Sequence, residues 1–170
     1  MQEKGFEEKD LALLLQYFPE VTLPVTITGV SVDAFMRENK PLPQLLSAVT
    51  IELWEEEPAD DVTEYQPGFS FKLGPFRGFL YWKAALLHYA YVLVLVDKKG
   101  QLLDRLELAE TSSESGFIRQ GAAFISEEGH IYAVESALGE QATLGDPSQT
   151  ITERWMITPQ GAIREMSERT

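Results

Sequence analysis

The clearest hydrophobic pattern in the chain runs from residue 79 to residue 109. An almost continuous apolar run, Tyr91 to Val96, leads into the polar stretch Asp97-Lys98-Lys99-Gly100, and a loosely alternating run, Gln101 to Leu108, follows it. A continuous β-branched run is typical of a strand buried on both faces, whereas loose alternation is typical of a strand nearer to solvent. The pattern predicts a β-hairpin around which the rest of the chain is organised.

The polar stretch at 97–100 has two counterparts, at 126–129 and at 158–161. Each begins with a short oxygen-bearing side chain and has glycine at its fourth position: Asp97-Lys98-Lys99-Gly100, Ser126-Glu127-Glu128-Gly129 and Thr158-Pro159-Gln160-Gly161. This chemistry is typical of a type I turn in which the first side chain accepts backbone hydrogen bonds and the glycine is left-handed. Apolar residues flank all three turns at matched positions, namely Val96, Ile125 and Ile157 before them and Leu102, Ile131 and Ile163 after them. The pattern predicts three hairpins in an antiparallel meander of at least six strands.

Strand-like alternation begins before these hairpins. The stretch Phe69 to Leu73 alternates, Gly74-Pro75 interrupts it, and Arg77 to Ala84 supplies an aromatic strand, so a turn is expected at 73–76. Alternation places Phe79 and Tyr81 on one face and Leu80 and Trp82 on the other. We expect these aromatic residues to fill a core and not to form a ligand platform. The polar stretches 110–116 and 139–149 are expected to be exposed loops, and the tail after Met166 is expected to fray.

The sequence pattern of the N-terminal part predicts helices. Apolar spacing predicts an amphipathic helix from Phe6 to Phe18, which Pro19 ends. A β-branched stretch at 20–28 predicts a strand that Pro24 limits to an edge or a short piece.

Two more helices are expected before the sheet. Ser31 is a candidate N-cap for one that reaches about Asn39, and the other begins after Pro43 and ends near Trp54. The apolar positions of this last helix are Leu45, Leu46, Val49 and Leu53.

These elements predict an α+β protein that is mainly β. We expect one domain over 1–170, with a mainly helical part at 1–57 and the β meander at 68–168. The hairpins are similar to the strand pairs of propellers, but about 100 residues of β sequence cannot supply four four-stranded blades. A curled sheet or incomplete barrel, with two or three N-terminal helices packed on it, is the expected architecture. The stretch Gly78 to Tyr89 resembles segments of small uncharacterised bacterial mostly-β proteins, and the resemblance implies a bacterial source but no activity.

Charge changes the picture of what the chain can bind. The 27 Asp and Glu residues exceed the 14 Lys and Arg residues, which gives a net charge of -13. This excess argues against nucleic acid or an anionic membrane as partner and favours a basic protein, if there is a protein partner at all.

The absence of cysteine excludes disulfides and thiolate chemistry. Because 1–10 is charged and Leu11 to Leu15 is too short for a signal sequence, we expect a cytoplasmic protein, with a leader before Met1 as the alternative.

Candidate catalytic groups are few. His88 and His130 are the only histidines, and metalloprotease, hydrolase and phosphate-loop motifs are absent from the sequence. Both histidines are expected to be structural, His88 half-buried and His130 exposed, and Asp97, Asp104 and Glu135 are partners that nothing singles out. We therefore expect no enzyme and no cofactor, and no catalytic residue is assigned.

The acidic stretch Glu55 to Glu64 is the candidate binding surface. It concentrates carboxylates between two aromatic residues, and the candidate residues are Trp54, Glu55, Glu56, Glu57, Asp60, Asp61, Glu64 and Tyr65. The stretch lacks the ordered spacing and central glycine of a calcium loop, so no metal site is expected. The sequence favours a non-enzymatic binding protein that masks a basic partner, in the manner of small acidic immunity or inhibitor proteins. The alternative is a small-molecule-binding or hydrolytic domain with a cleft beside the meander.

Overall fold

A nine-stranded antiparallel sheet forms most of the protein. The computed structural model describes residues 8–55, 60–86, 88–114, 117–139 and 150–166. The strands are β1 (Val25–Ile27), β2 (Glu64–Leu73), β3 (Phe76–Ala85), β4 (His88–Val96), β5 (Leu102–Glu114), β6 (Phe117–Ile125), β7 (His130–Gly139), β8 (Thr150–Ile157) and β9 (Ile163–Glu165). Strands β2 to β9 pair in chain order, and β1 pairs with β6. The expected mainly β meander is confirmed.

The three predicted turns are confirmed with their chemistry. In each of them the glycine has a positive φ, 83° at Gly100 and 85° at both Gly129 and Gly161. The glycine amide donates to the carbonyl of the first turn residue at 3.0, 3.1 and 2.9 Å, respectively. The first side chain accepts the amide four residues on in every case, at 3.0 Å in two of the turns and at 3.1 Å in the third. The predicted turn between β2 and β3 is also present, with Gly74 at φ 57°.

The sheet folds over on itself at β5. Strand β5 pairs with β4 from Leu102 to Ser112, whereas only its end, Ser112–Glu114, pairs with the start of β6. A bulge at Ala109, where φ is 49°, interrupts the pairing with β4 between Leu108 and Thr111. Gly121 of β6 lies against this bulge so closely that a Cβ would come within 2.5 Å of the Ala109 Cα. As β5 turns away, β1 takes over the end of β6 and pairs with 123–125.

The predicted loop at 110–116 is therefore wrong for its first five residues, because β5 continues through Glu114. Backbone pairing to β4 and then to β6 outweighs the polar composition. The predicted loop at 139–149 lies outside the described residues except for Gly139, which ends β7. The predicted frayed tail after Met166 also lies outside them.

Two apolar clusters lie on opposite faces of β2–β4. The inner cluster fills the fold between β2–β5 and β6–β9 and includes Phe71, Leu93 and Ile131. The second cluster joins Phe79, Val94 and neighbouring side chains of the sheet to the N-terminal helices. Strand β4 contributes alternate residues to both clusters and is buried on both faces, as its sequence predicts. The predicted division between Phe79 with Tyr81 and Leu80 with Trp82 is likewise confirmed.

In the described residues, four short helices lie before β2: α1 (Glu8–Leu14), α2 (Ser31–Glu38), α3 (Gln44–Ala48) and α4 (Ile51–Trp54). The helix predicted after Pro43 is broken between α3 and α4, where the Thr50 hydroxyl donates to the Leu46 carbonyl at 2.7 Å. The break turns Ile51 and Trp54 inward and leaves Leu45 and Leu53 exposed. The expected strand at 20–28 is reduced to β1, as Pro24 indicated.

Helix α2 is held by hydrogen bonds to strand β4. Ser31 is its first residue and not its N-cap, because the Ser31 hydroxyl instead accepts the amide of Thr28 at 2.9 Å. The Tyr91 hydroxyl of β4 accepts the amide of Val32 at 2.9 Å and donates to the Thr28 carbonyl at 2.8 Å. A distant tyrosine thus satisfies a helix N-terminal amide that a local cap would normally satisfy. Within the described residues, no helix has the length and apolar character needed to cross a membrane.

Candidate functional site

An acidic groove lies where α3, α4 and the start of β2 meet. It has a volume of about 500 Å³ and is open to solvent on one side. Its described lining residues come from three short segments and are Leu42, Gln44, Ser47, Glu52, Asp60, Asp61, Thr63 and Tyr65. Three of these described side chains are carboxylates and none is a cation. We refer to this site as the acidic groove.

Asp60 is fixed in place by a local turn. Its Oδ1 accepts the Thr63 hydroxyl at 2.6 Å and the Val62 amide at 3.0 Å. These two hydrogen bonds, the one from Thr63 first, hold the pKa of Asp60 below its usual value. Asp60 therefore keeps its charge and its orientation at the rim of the groove.

Tyr65 forms the aromatic wall of the groove. Its ring packs edge-on against Tyr81 with the ring centroids 5.9 Å apart. Burial, reinforced by the negative charges of Glu55 and Glu52, raises the pKa of Tyr65 to about 12. The phenol stays neutral at physiological pH, so it offers a polar aromatic contact and not a base.

Two of the predicted binding residues lie behind the groove. Trp54 is 3% exposed and packs against Phe79 with ring centroids 5.5 Å apart. The Glu55 side chain is 1% exposed. The expectation of an exposed Trp54 anchor beside an exposed Glu55 is wrong, because the last turn of α4 faces the sheet. Asp60, Asp61 and Glu64 are exposed as expected, and Glu56 and Glu57 lie outside the described residues.

Glu55 is instead the centre of a buried charge network. Its Oε1 accepts the Tyr81 hydroxyl at 2.5 Å, and its Oε2 accepts Lys83 Nζ and Arg105 Nη2, each at 2.8 Å. Burial by itself would raise the pKa of Glu55, but the hydrogen bonds from Lys83, Tyr81 and Arg105 together outweigh it and lower the pKa. Burial and the Glu55 charge raise the pKa of Tyr81 far above its usual value, so the hydroxyl remains a donor. The network fixes α4 to β3 and β5.

The network continues to the surface through Glu107. Arg105 Nη2 also donates to Glu107 Oε1 at 3.0 Å, and Glu107 Oε2 lies 3.5 Å from His88 Nε2. Burial opposes the charge on Arg105, yet its hydrogen bonds to Glu55 and Glu107 raise its pKa. Each carboxylate of this network faces a basic side chain, which is the arrangement of a structural ion-pair network.

The histidines occupy separate places. His88 is half-exposed beside Glu107, a carboxylate that sequence reasoning did not consider as its partner. His130 lies near Tyr132, with 3.5 Å between His130 Nδ1 and the Tyr132 hydroxyl. In the described part of the chain, no group of three or more histidine and carboxylate side chains is arranged to hold a metal ion.

A smaller cleft lies inside the fold of the sheet. It has a volume of about 160 Å³ between β5 on one side and β7 and β8 on the other, and it includes Glu135, Glu153 and Trp155. The alternative from the sequence was a cleft beside the meander without a stated position, and this cleft is lined by strands of the meander. Its described lining contains neither histidine nor a hydroxyl nucleophile, so the described residues form no serine–histidine site there.

Asp60, Asp61 and Tyr65, which the sequence analysis grouped, line one groove in the structure. The sequence analysis did not include Glu52, which precedes the acidic stretch by one turn of helix. It also missed Lys83 and Arg105 as partners of Glu55. A signal for them exists, because alternation places Lys83 on the same side of β3 as Tyr81. Charged residues on the covered face of a strand indicate a buried partner of opposite charge.

Comparison of the chain with protein-family models, with curated proteins and with solved structures finds no match.

Proposed function

We propose that the protein is a non-enzymatic interaction protein whose acidic groove binds a basic segment of a partner protein. The observation that carries the proposal is the grouping of Glu52, Asp60 and Asp61 around the ring of Tyr65, with no cation in the described lining of the groove. The resemblance in charge to small immunity and inhibitor proteins supports a masking role. We place this role in the cytoplasm.

The charge of the whole chain supports the same proposal. With a net charge of -13, the protein attracts a basic partner at long range, and the groove supplies the local charge that orients it. Exposed charges are screened over about 8 Å at physiological ionic strength. Association should therefore slow as salt rises.

The construction of the groove supports a preorganised site. Asp60 is held by two hydrogen bonds, and Tyr65 rests on Tyr81, whose hydroxyl is fixed by the buried Glu55. Side chains that are already ordered lose little conformational entropy when a partner binds. A lysine or arginine side chain entering the groove would meet carboxylates and an aromatic wall, which is a favourable environment for a cation.

The experiment compares two variants that each lose two negative charges, for binding to a basic peptide that alternates lysine with aromatic residues. Asp60→Asn/Asp61→Asn removes two charges from the groove, and the amide oxygen introduced at position 60 can still accept the hydrogen bonds of the local turn. Glu127→Gln/Glu128→Gln removes two charges from an exposed turn at the far end of β2, where Gly129 lies against Leu73. We leave Glu55 unchanged because its neutralisation would disturb the fold.

Stopped-flow association rates are measured at several salt concentrations. We expect the groove variant to associate about tenfold more slowly at low salt and to show a weaker salt dependence, while the turn variant stays close to wild type. Equal effects of the two variants would mean that net charge alone attracts the peptide, and the groove would then have no role. Unchanged association rates in both variants would also show that the groove has no role in binding the peptide.

The small-molecule alternative ranks second. The cleft between β5 and β7–β8 is about a third of the volume of the acidic groove. The carboxylates of its described lining, Glu107, Glu135 and Glu153, favour a small cationic ligand.

A further inference from the structure

The side of β6–β9 that faces away from the inner cluster is not covered by the described N-terminal helices. Ile131 and Ala133 of β7 and Ile157 of β8 point into the inner cluster. Because side chains alternate along a strand, the residues next to them on these strands point outward. The side chains of this outer face are, across β1, β6, β7, β8 and β9, Thr26, Ala122, Phe124, His130, Tyr132, Val134, Thr152, Arg154, Met156 and Arg164. We refer to this surface as the outer face.

An aromatic row crosses the middle of the outer face. Phe124 and Tyr132 are directly opposite each other on β6 and β7, with ring centroids 6.2 Å apart. The guanidinium carbon of Arg154 on β8 lies over the Tyr132 ring, 5.9 Å from its centroid. Strand pairing continues the row to Thr26 on the other side. The row is held by neighbouring side chains before any partner arrives.

The outer face keeps apolar surface in contact with solvent. Phe124 is 37% exposed and Val134, in the next row, is 39% exposed. Phe124 is opposite Tyr132, and Val134 is the next outward residue of β7, so the two exposed side chains are diagonal neighbours on the outer face. Contiguous exposed apolar surface with a polar rim marks interaction sites.

The charge of the outer face is opposite to that of the molecule. Arg154 and Arg164 are its charged side chains, and none of the ten described side chains named above is a carboxylate. Carboxylates outnumber cations almost two to one in the chain as a whole, at 27 to 14. The described acidic residues of the same strands are Glu135, Glu153 and Glu165. Glu135 and Glu153 line the inner cleft, and Glu165 is paired with Trp155, which packs against the inner cluster.

We infer that the outer face binds an acidic segment of a partner protein, whose carboxylates pair with Arg154 and Arg164 while its apolar side chains pack on Phe124, Tyr132 and Val134. Guanidinium groups bind carboxylates through paired hydrogen bonds, and aromatic residues with arginine are typical of binding hot spots. This site is separate from the acidic groove and takes a ligand of the opposite charge.

Charge also favours an acidic peptide segment over two other ligands of the outer face, namely a nucleic acid and a second copy of this chain. A phosphate backbone carries a dense negative charge that the net charge of -13 repels strongly, whereas a short peptide segment carries a few charges that two arginines can match. A second copy of this chain would bring another -13, so the two molecules would repel each other at the distances from which association begins. A short acidic segment carries fewer negative charges than either of these, so the net charge of the protein repels it less.

The test uses three peptides of equal length: one alternating glutamate with leucine and phenylalanine, its uncharged glutamine counterpart, and one alternating glutamate with glycine. Binding to the full chain is measured by fluorescence anisotropy at physiological ionic strength. We expect the first peptide to bind at least tenfold more tightly than the other two. Binding of the glutamine counterpart as tight as that of the first peptide, or binding of none of the three up to millimolar concentration, would overturn the inference.

Two variants with the same change of charge locate the site. Arg154→Glu/Arg164→Glu reverses the cations of the outer face, and Lys98→Glu/Lys99→Glu reverses two exposed cations in the turn between β4 and β5. We expect the first variant to weaken binding of the acidic peptide at least tenfold and the second to change it less than twofold. Equal losses would show a response to net charge only and would overturn the inference.

A third variant tests the apolar contact, and two controls test whether the outer face instead binds a second copy of this chain or a nucleic acid. Phe124→Ser keeps every charge and is expected to weaken binding severalfold, with unchanged circular dichroism confirming that the fold is intact. Sedimentation of the chain alone should give a monomer, and a single-stranded oligonucleotide should not compete with the peptide. A dimer that Arg154→Glu/Arg164→Glu dissociates would identify the outer face as a self-association surface, and competition by the oligonucleotide would identify a nucleic-acid site; either result would overturn the proposal.

Discussion

Replacement of Glu55 by glutamine should destabilise the protein severely although it changes one atom. Glu55 is the acceptor of three hydrogen bonds and faces the two cations Lys83 and Arg105 at 2.8 Å each. Glutamine can still offer one oxygen, and its amide can donate to the Tyr81 hydroxyl, so the shape and part of the hydrogen bonding survive. What disappears is the negative charge between two largely buried cations.

The expected loss follows from that burial. Removing one partner of a buried ion pair typically costs about 3–5 kcal/mol, because the remaining charge is left without compensation. Here Arg105 retains Glu107, so we expect the lower end of that range, about 3 kcal/mol. The free energy of unfolding of a domain is typically about 5–15 kcal/mol, so this loss would be a large part of it.

The effect of Glu55→Gln on stability should depend on pH, and the direction follows from the pKa of Glu55. The folded-state pKa of Glu55 lies below its ordinary value of 4.5, so its contribution to stability is complete above that pH and is lost as the pH falls through the folded-state pKa. The difference in unfolding free energy between wild type and Glu55→Gln should therefore be largest near neutral pH. It should shrink as the pH falls below 4.5 and the wild-type carboxylate becomes protonated.

Urea denaturation followed by tryptophan fluorescence, at neutral pH and at several values below 4.5, measures this difference. Glu52→Gln is the matched control, because Glu52 lies on the same helix but is exposed, and we expect it to change the unfolding free energy by less than about 0.5 kcal/mol. A loss for Glu55→Gln that is no larger than that of the control, or that does not shrink in acid, would refute the reasoning.

Two further predictions concern the backbone. Gly100→Val and Gly129→Val should each lower the unfolding free energy by about 1–3 kcal/mol in urea melts, because valine must adopt the positive φ of the turn glycine; stability equal to wild type would contradict this. Tyr91→Phe should cost about 1–3 kcal/mol, since it leaves the Val32 amide at the start of α2 without its acceptor. The exposed Tyr89→Phe is the control, and hydrogen exchange at Val32 should accelerate only in the Tyr91 variant.

The features that were predictable from sequence are those encoded within a few residues. The turns at 97–100, 126–129 and 158–161 depend on one oxygen-bearing side chain and one glycine each, so their signature is local and complete. The burial of Tyr91 to Val96 on both faces is likewise visible in a run of six apolar residues. Neither needs knowledge of the rest of the chain.

The features that sequence reasoning missed depend on distant partners. Glu55 was expected at the surface because its neighbours are acidic, whereas its true partners Lys83 and Arg105 are 28 and 50 residues away. The break at Thr50 arises because Ile51 and Trp54 must reach a sheet whose position no local pattern gives. The outer face was missed for the same reason, since Phe124, Tyr132 and Arg154 come together only through strand register.

Pairing of β1 with β6 has a consequence for how the chain assembles. Strands β2 to β9 pair in chain order with their neighbours in sequence, so the meander can form one hairpin at a time, each closing a short loop. Val25 meets Ile125 only by closing a loop of about 100 residues, which costs about 3 kcal/mol more entropy than closing a hairpin turn. That penalty falls once the intervening strands are already in place. The topology thus favours an order of folding in which the meander forms first and β1, with the α2 that follows it, docks last onto a sheet already bent at Ala109.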